Sequence, residues 1–320
     1  VALSNNEISN DTAARLLDSR NRLVSDVKND GVGARVAEGG CGVVGLASSR
    51  AVAGRFLKTA CLRMHNRGNG KGGGIAASGL SPEQMKVSPE VLRECYMIQV
   101  AYLDPASRGR LEKRYLKPVY DIQHAYPCDP ARDFRDISGL EVRPPDVWRY
   151  FVRAKARVLE KFAGENGLEA CGSRAVEDEL VYQTSFRINR RFYSSLGDKQ
   201  AFVLSHGRDL MIFKIVGHAE QVIEYYGLDD CHAHVWIAHQ RYPTKGRVWH
   251  PGGAHPFIGI NAALVHNGDF ANYHSISEYL MQRNYQPLFL TDTEVSVLLF
   301  DLYERIYGYP LEYICEALAP

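Results

Sequence analysis

Two short apolar runs, each entered through glycine, constrain this chain most. Gly39-Gly40 lead into Cys41-Gly42-Val43-Val44-Gly45-Leu46-Ala47, and the glycine-rich loop 68–73 leads into Gly74-Ile75-Ala76-Ala77. Short runs of small and β-branched residues fit buried strands. Between them Arg55–Met64 has helical spacing, with Phe56, Leu57, Ala60 and Met64 expected to face a core. Downstream, the pattern predicts a helix over 147–162, with Phe151, Ala154, Val158, Leu159 and Phe162 on one side, and a strand over 180–188. The runs 201–205 and 210–215 flank His206-Gly207-Arg208-Asp209 and read as a hairpin. A short helix is expected over 221–226, strands over 234–241 and 262–266, and helices over 275–283 and 293–307. Asp292 or Thr293 suits the N-cap of that last helix, Gly308 its far end, and Pro310 the start of one more. Antiparallel strands with separate helices argue for an α+β fold over a doubly wound sheet.

Composition removes several classes of function. Among 320 residues, 38 Lys and Arg against 37 Asp and Glu leave a formal charge of +1, so no field recommends nucleic acid or an anionic membrane as partner. A hydrophobic share of 45% is enough for a buried core, yet no stretch is long and apolar enough to span a bilayer. The seven cysteines follow no disulfide framework, which points to free thiols in a reducing, cytoplasmic compartment. Residues 1–40 stand apart. Ala13, Leu16, Leu17, Leu23, Val24 and Val27 share one helical face, and a glycine- and charge-rich linker follows.

Single motifs each have an ordinary explanation. Gly68-Asn69-Gly70-Lys71-Gly72-Gly73 satisfies G-x-G-x-x-G, but a helix precedes it and a strand follows, the reverse of a dinucleotide site. The loop instead suits close backbone approach. Cys231, His232, His234 and His239 crowd together, but His239 points to the opposite strand face, and no second pair has zinc-site spacing. No metal is expected there, or at His250 and His255. Cys41 alone is a small core residue, Asn267-Gly268 a turn, Asp292 a helix cap and Arg241 a surface ion pair.

Their order along the chain changes the reading. Cys41-Gly42-Val43-Val44-Gly45, His65-Asn66-Arg67-Gly68, Arg241-Tyr242-Pro243-Thr244, His266-Asn267-Gly268-Asp269 and Thr291-Asp292-Thr293-Glu294 follow one another. This series resembles the class II glutamine amidotransferases, which are N-terminal-nucleophile hydrolases, and within them the glutaminase domain of glutamate synthases. The resemblance covers about residues 41–320. It departs at Asn66, inserted between His65 and Arg67, at Pro243-Thr244-Lys245 and at Asp269-Phe270.

The resemblance implies a four-layer αββα sandwich of two antiparallel sheets. It implies that residues 1–40 are a pro-segment removed by cleavage between Gly40 and Cys41, leaving a glutaminase domain over 41–320. Relatives of this kind continue with further strands of the second sheet, which leaves three readings of the end at Pro320 open: a fragment, a divergent short form, or a domain truncated at its C-terminus. The implied reaction hydrolyses L-glutamine to glutamate and ammonia through a γ-glutamyl thioester on Cys41. An oxyanion would rest against Asn267 and Gly268, and Arg241, Thr244, Asp292 and Arg67 would hold the substrate. Such chemistry needs no metal or organic cofactor. Ammonia would pass to a synthase subunit within a hetero-oligomer, with any flavin or iron–sulfur centre on that partner. Two other classes stay open: a catalytically silent glutamine-binding or scaffold module, and a thiol peptidase, which the placement of Cys41 at a strand start disfavours.

Overall fold

The computed structural model describes residues 40–242, 250–268 and 272–318. Its elements in chain order are β1 (Gly42–Ala53), α1 (Gly54–Arg63), β2 (Gly73–Leu80), α2 (Pro89–Glu94), β3 (Tyr96–Tyr102), α3 (Ser107–Leu111), β4 (Tyr120–Cys128) and β5 (Asp146–Ala154). There follow α4 (Ala156–Asn166), α5 (Ser173–Phe192), β6 (Ala201–Ser205), β7 (Leu210–Ile215), α6 (Ala219–Tyr225) and β8 (His232–Gln240). The last are β9 (Phe257–Gly259), β10 (Ala262–Leu264), α7 (Tyr273–Met281), α8 (Asp292–Asp301) and α9 (Leu311–Leu318).

Two four-stranded antiparallel sheets result, ordered β1-β8-β2-β7 and β4-β5-β3-β6, beside the small hairpin β9-β10. The period-two rule explains how they stack. On β3, Met97 and Ala101 enter one core with Ile75, Met211, Phe213 and Trp236 of the first sheet. Tyr96, Ile98, Val100 and Tyr102 enter another with Val181, Ile188 and Phe192 of α5. Leu57 and Cys61 of α1 and Val222 and Ile223 of α6 pack on the first sheet. The chain is thus a mixed α+β sandwich. No helix among the described residues is long and apolar enough to cross a membrane.

Several elements differ from the sequence reading. β1 runs to Ala53 and is an edge strand, half-buried on one side and exposed on the other rather than enclosed. On α1 the buried residues are Gly54, Leu57 and Cys61, while Phe56 faces solvent. The expected helix over 147–162 is strand β5 followed by α4. β5 lies between β4 and β3 with most residues buried, so its apolar residues do not alternate. The expected strand over 180–188 belongs to α5, whose Leu180, Val181, Thr184, Ser185 and Ile188 form a buried helical stripe. β6 and β7 are no hairpin: each joins a different sheet, and residues 206–209 cross between them. The last long helix is capped by Thr291, whose side chain accepts the Glu294 N–H. Gly308 does close its end, at φ +66°. The expected pro-segment, apart from Gly40, lies outside the described residues.

Candidate active site

The start of β1 and the end of β8 create the site. Gly42 pairs with Gln240, which brings Cys41 alongside the residues that follow β8. The Cys41 thiol is half-buried. Its Sγ accepts the Tyr242 N–H at 3.3 Å and lies 3.6 Å from the Tyr242 carbonyl, to which the thiol can donate.

Arg241 is held from both sides by the glycine-rich loop. Its N–H donates to the Gly72 carbonyl at 2.7 Å, and its carbonyl accepts the Asn69 N–H at 3.1 Å. A Cβ at Gly72 would fall 3.3 Å from the Arg241 side chain. The loop therefore serves close approach, as its composition implied. The guanidinium donates to the Gly253 carbonyl at 3.3 Å. Burial pulls Arg241 below its ordinary range, while the Asp292 carboxylate opposes that shift. The β1–β8 register thus sets Cys41 against the segment of Arg241, and Asp292 acts on the Arg241 charge from a third part of the chain. Arg67 stands beside Gly40, where a Cβ would come within 2.9 Å of its Nη2.

Asp292 opens α8. Its Oδ1 accepts the Thr293 N–H at 2.8 Å and the Thr293 hydroxyl at 3.2 Å. Its Oδ2 is 3.8 Å from His266 Nδ1. Behind it, the His255 Nδ1 accepts the His266 N–H at 3.4 Å, so Nε2 carries the hydrogen and donates to Thr293 Oγ1 at 2.9 Å. His255 stacks on His239, with ring centroids 3.8 Å apart. Burial holds both neutral: His239 is pushed down to about 3, and His255 well below the usual imidazole range.

Two further buried groups support this corner. Glu294 takes the N–H groups of Leu288, Phe289 and Leu290 on its two oxygens, shaping the turn before Asp292. Burial nonetheless raises its carboxyl to about 7. Lys214, enclosed 4.2 Å over the Phe257 ring, is lowered by burial to about 7. The sequence reading named Glu294, His255 and Tyr242 but gave them no role in the site. Only the glutamate had a visible signal, at the third position after Thr291, where a carboxylate often faces a cap. Here its carboxylate instead serves the preceding turn.

Asn267 and Gly268 follow β10 through His266, one residue from the contact with Asp292. They are not the hairpin turn, which lies at Ile260-Asn261. Among the described residues the Asn267 side chain makes no hydrogen bond, and Gly268 has φ +152°. Thr244 lies outside the described residues. Cys231, His232 and His234 stay at the far end of β8, away from His239.

No family model matches the chain. An uncharacterized protein of Archaeoglobus fulgidus is 31% identical over 285 residues, which cover 88% of this chain and 67% of that protein. The chain belongs to the family of that protein. Part of it is also similar to glutamine–fructose-6-phosphate aminotransferases (isomerizing). The Pyrobaculum aerophilum enzyme is 33% identical over 129 residues, 40% of this chain and 20% of the enzyme. The Helicobacter pylori enzyme is 38% identical over 112 residues, 35% of this chain and 18% of the enzyme. The chain thus spans about a fifth of the length of these aminotransferases.

Proposed function

We propose that this chain is a class II glutamine amidotransferase of N-terminal-nucleophile fold that hydrolyses L-glutamine to glutamate and ammonia. The main support is the register that sets Cys41 against the Arg241-Tyr242 segment, with Asp292 close enough to act on the Arg241 charge. A nucleophile there stands beside a cation and an anion suited to the two charged ends of a free amino acid. Similarity to enzymes whose name begins with glutamine supports the same substrate.

In this reading the bond between Gly40 and Cys41 is cleaved. The freed α-amine, with a reference pKa of about 7.7–8.0, takes the thiol proton. Sulfur then attacks the side-chain amide carbon. Negative charge develops on the amide oxygen, to which the Asn267 side-chain amide and the Gly268 N–H donate. The proton passes to the departing nitrogen and ammonia leaves. Water resolves the γ-glutamyl thioester to glutamate and regenerates the thiol. Arg241, with Thr244 and Arg67, receives the α-carboxylate, and Asp292 the α-ammonium. The steps require no metal or organic cofactor. Ammonia goes to an acceptor site on a synthase subunit, as the likeness to glutamate synthases implies.

The test joins two measurements on the purified full chain. N-terminal sequencing is expected to begin at Cys41, and glutamate release is expected to vanish in Cys41→Ala. A chain that starts at Val1 with full activity overturns the amine mechanism. Undiminished glutamate release in the alanine variant overturns the function.

A further inference from the structure

On the other face of the first sheet, three potential metal donors converge where the thiol chemistry has no use for them. His65 follows α1, His218 precedes α6, and Glu220 lies in the first turn of α6. One donor atom from each lies within 4.8 Å of the others, and among the described residues this is the His/Cys/Asp/Glu group that closes so far. His65 Nδ1 meets Glu220 Oε1 at 2.5 Å, and the two imidazoles stack with centroids 3.9 Å apart.

Gln240 orients two of the three. Its Nε2 donates to Glu220 Oε2 at 2.8 Å and to the Cys61 carbonyl at 2.9 Å. Two acceptors on that nitrogen fix the amide, so Oε1 faces His218 Nδ1 at 2.8 Å and accepts its hydrogen. Neutral His218 then carries its lone pair on Nε2. Gly70 leaves room before that atom, since a Cβ there would sit 3.1 Å from it. A histidine whose second nitrogen donates to a fixed acceptor, beside a carboxylate that is itself hydrogen-bonded, is how proteins present ligands to a metal.

We propose that His65, His218 and Glu220 bind a zinc-class divalent cation, with water completing its coordination. Zinc–nitrogen and zinc–oxygen bonds of about 2.0–2.2 Å place tetrahedral donors roughly 3.3 Å apart. The His65–Glu220 contact must open slightly and His218 must draw in. The His65 side chain is 49% exposed and can swing once its bond to Glu220 opens, whereas that of Glu220 is 6% exposed and anchored. The ion would fasten the end of α1 to the start of α6, and with them the turn bearing Arg67. It takes no part in the proposed hydrolysis, since Gln240 and Arg241 face opposite sides of the strand end.

The experiment titrates metal-free full-length protein with Zn2+ by calorimetry and with Co2+ by visible absorption. One ion per chain is expected, with a cobalt spectrum of nitrogen and oxygen donors and no thiolate charge-transfer band. His65→Ala, at a surface position that should not disturb folding, and the isosteric Glu220→Gln are each expected to weaken binding at least about tenfold, and Gln240→Leu about 10–100-fold. Much less than one ion per chain, a thiolate band, or affinity unchanged in both His65→Ala and Glu220→Gln would overturn the site. None of these readouts depends on glutaminase activity.

Discussion

Gln240 and Arg241 are adjacent, yet the two sides of the sheet they serve are built on different principles. On the Gln240 side, against α1 and α6, one amide orients both an imidazole and a carboxylate and leaves His218 Nε2 open. The thiol on that side, Cys61, is pushed up to about 12 by burial and then by the Glu220 charge, and is therefore inert. On the Arg241 side, Cys41 is half-buried and next to an arginine, and His239 and His255 are kept neutral by burial. One side fixes its imidazole and carboxylate through a neutral amide, and the other sets a half-buried thiol near an arginine. The two cysteines differ accordingly: Cys61 is enclosed, whereas Cys41 is half-buried.

That contrast can be broken by experiment. Cys41→Ala is expected to reduce glutamate release by at least about a thousandfold, while Cys61→Ala leaves it within about threefold; equal losses would erase the distinction. Glu294→Ala strips three backbone N–H groups of their acceptor and is expected to destabilise the fold by about 2–5 kcal/mol in urea titrations. Gly74→Ala would place a Cβ 2.0 Å from the His255 carbonyl oxygen and should cost about 1–3 kcal/mol or more.

Acid provides a gentler probe. The unfolded chain protonates His239 near its ordinary value of 6.5, whereas the folded chain refuses the proton down to about 3. Stability therefore falls as pH drops through that window, by up to roughly 1.4 kcal/mol per pH unit for this residue. His239→Gln should make the loss between about pH 6.5 and pH 5 correspondingly shallower, and an unchanged slope would refute burial as the cause. The smallest effect belongs to Gly45→Ala, whose Cβ would meet nothing within 4 Å and should change stability by less than about 0.5 kcal/mol.

What could be read in advance follows from how local each signal is. β2, α6 and β8 lie close to where their residue patterns put them, because their own side chains decide the matter. β5 was illegible since both its faces are buried, and α5 since Val181, Thr184 and Ile188 favour strands locally but pack against a sheet as a helix. Cys41, Arg241 and Asp292 were legible as members of an ordered series. The Tyr242 amide was not, because it meets Cys41 only after strands about 200 residues apart have paired, and the histidine stack was not, because His239 and His255 meet only through the fold of the chain that follows β8.

The crossover at 206–209 has a mechanical consequence. The Asp209 carboxylate accepts the N–H groups of Gly79 and Leu80 at the end of β2, while Arg208 is paired with Glu177 and Asp178 on α5. The Gly207 carbonyl accepts the Met97 N–H of β3. Consecutive residues thus rivet both sheets and the outer helix to one another. Sliding of one sheet over the other would have to break all of these bonds together. Amide protons on β2, β3 and β7 should consequently exchange as one cooperative block, with the sandwich opening as a unit or not at all.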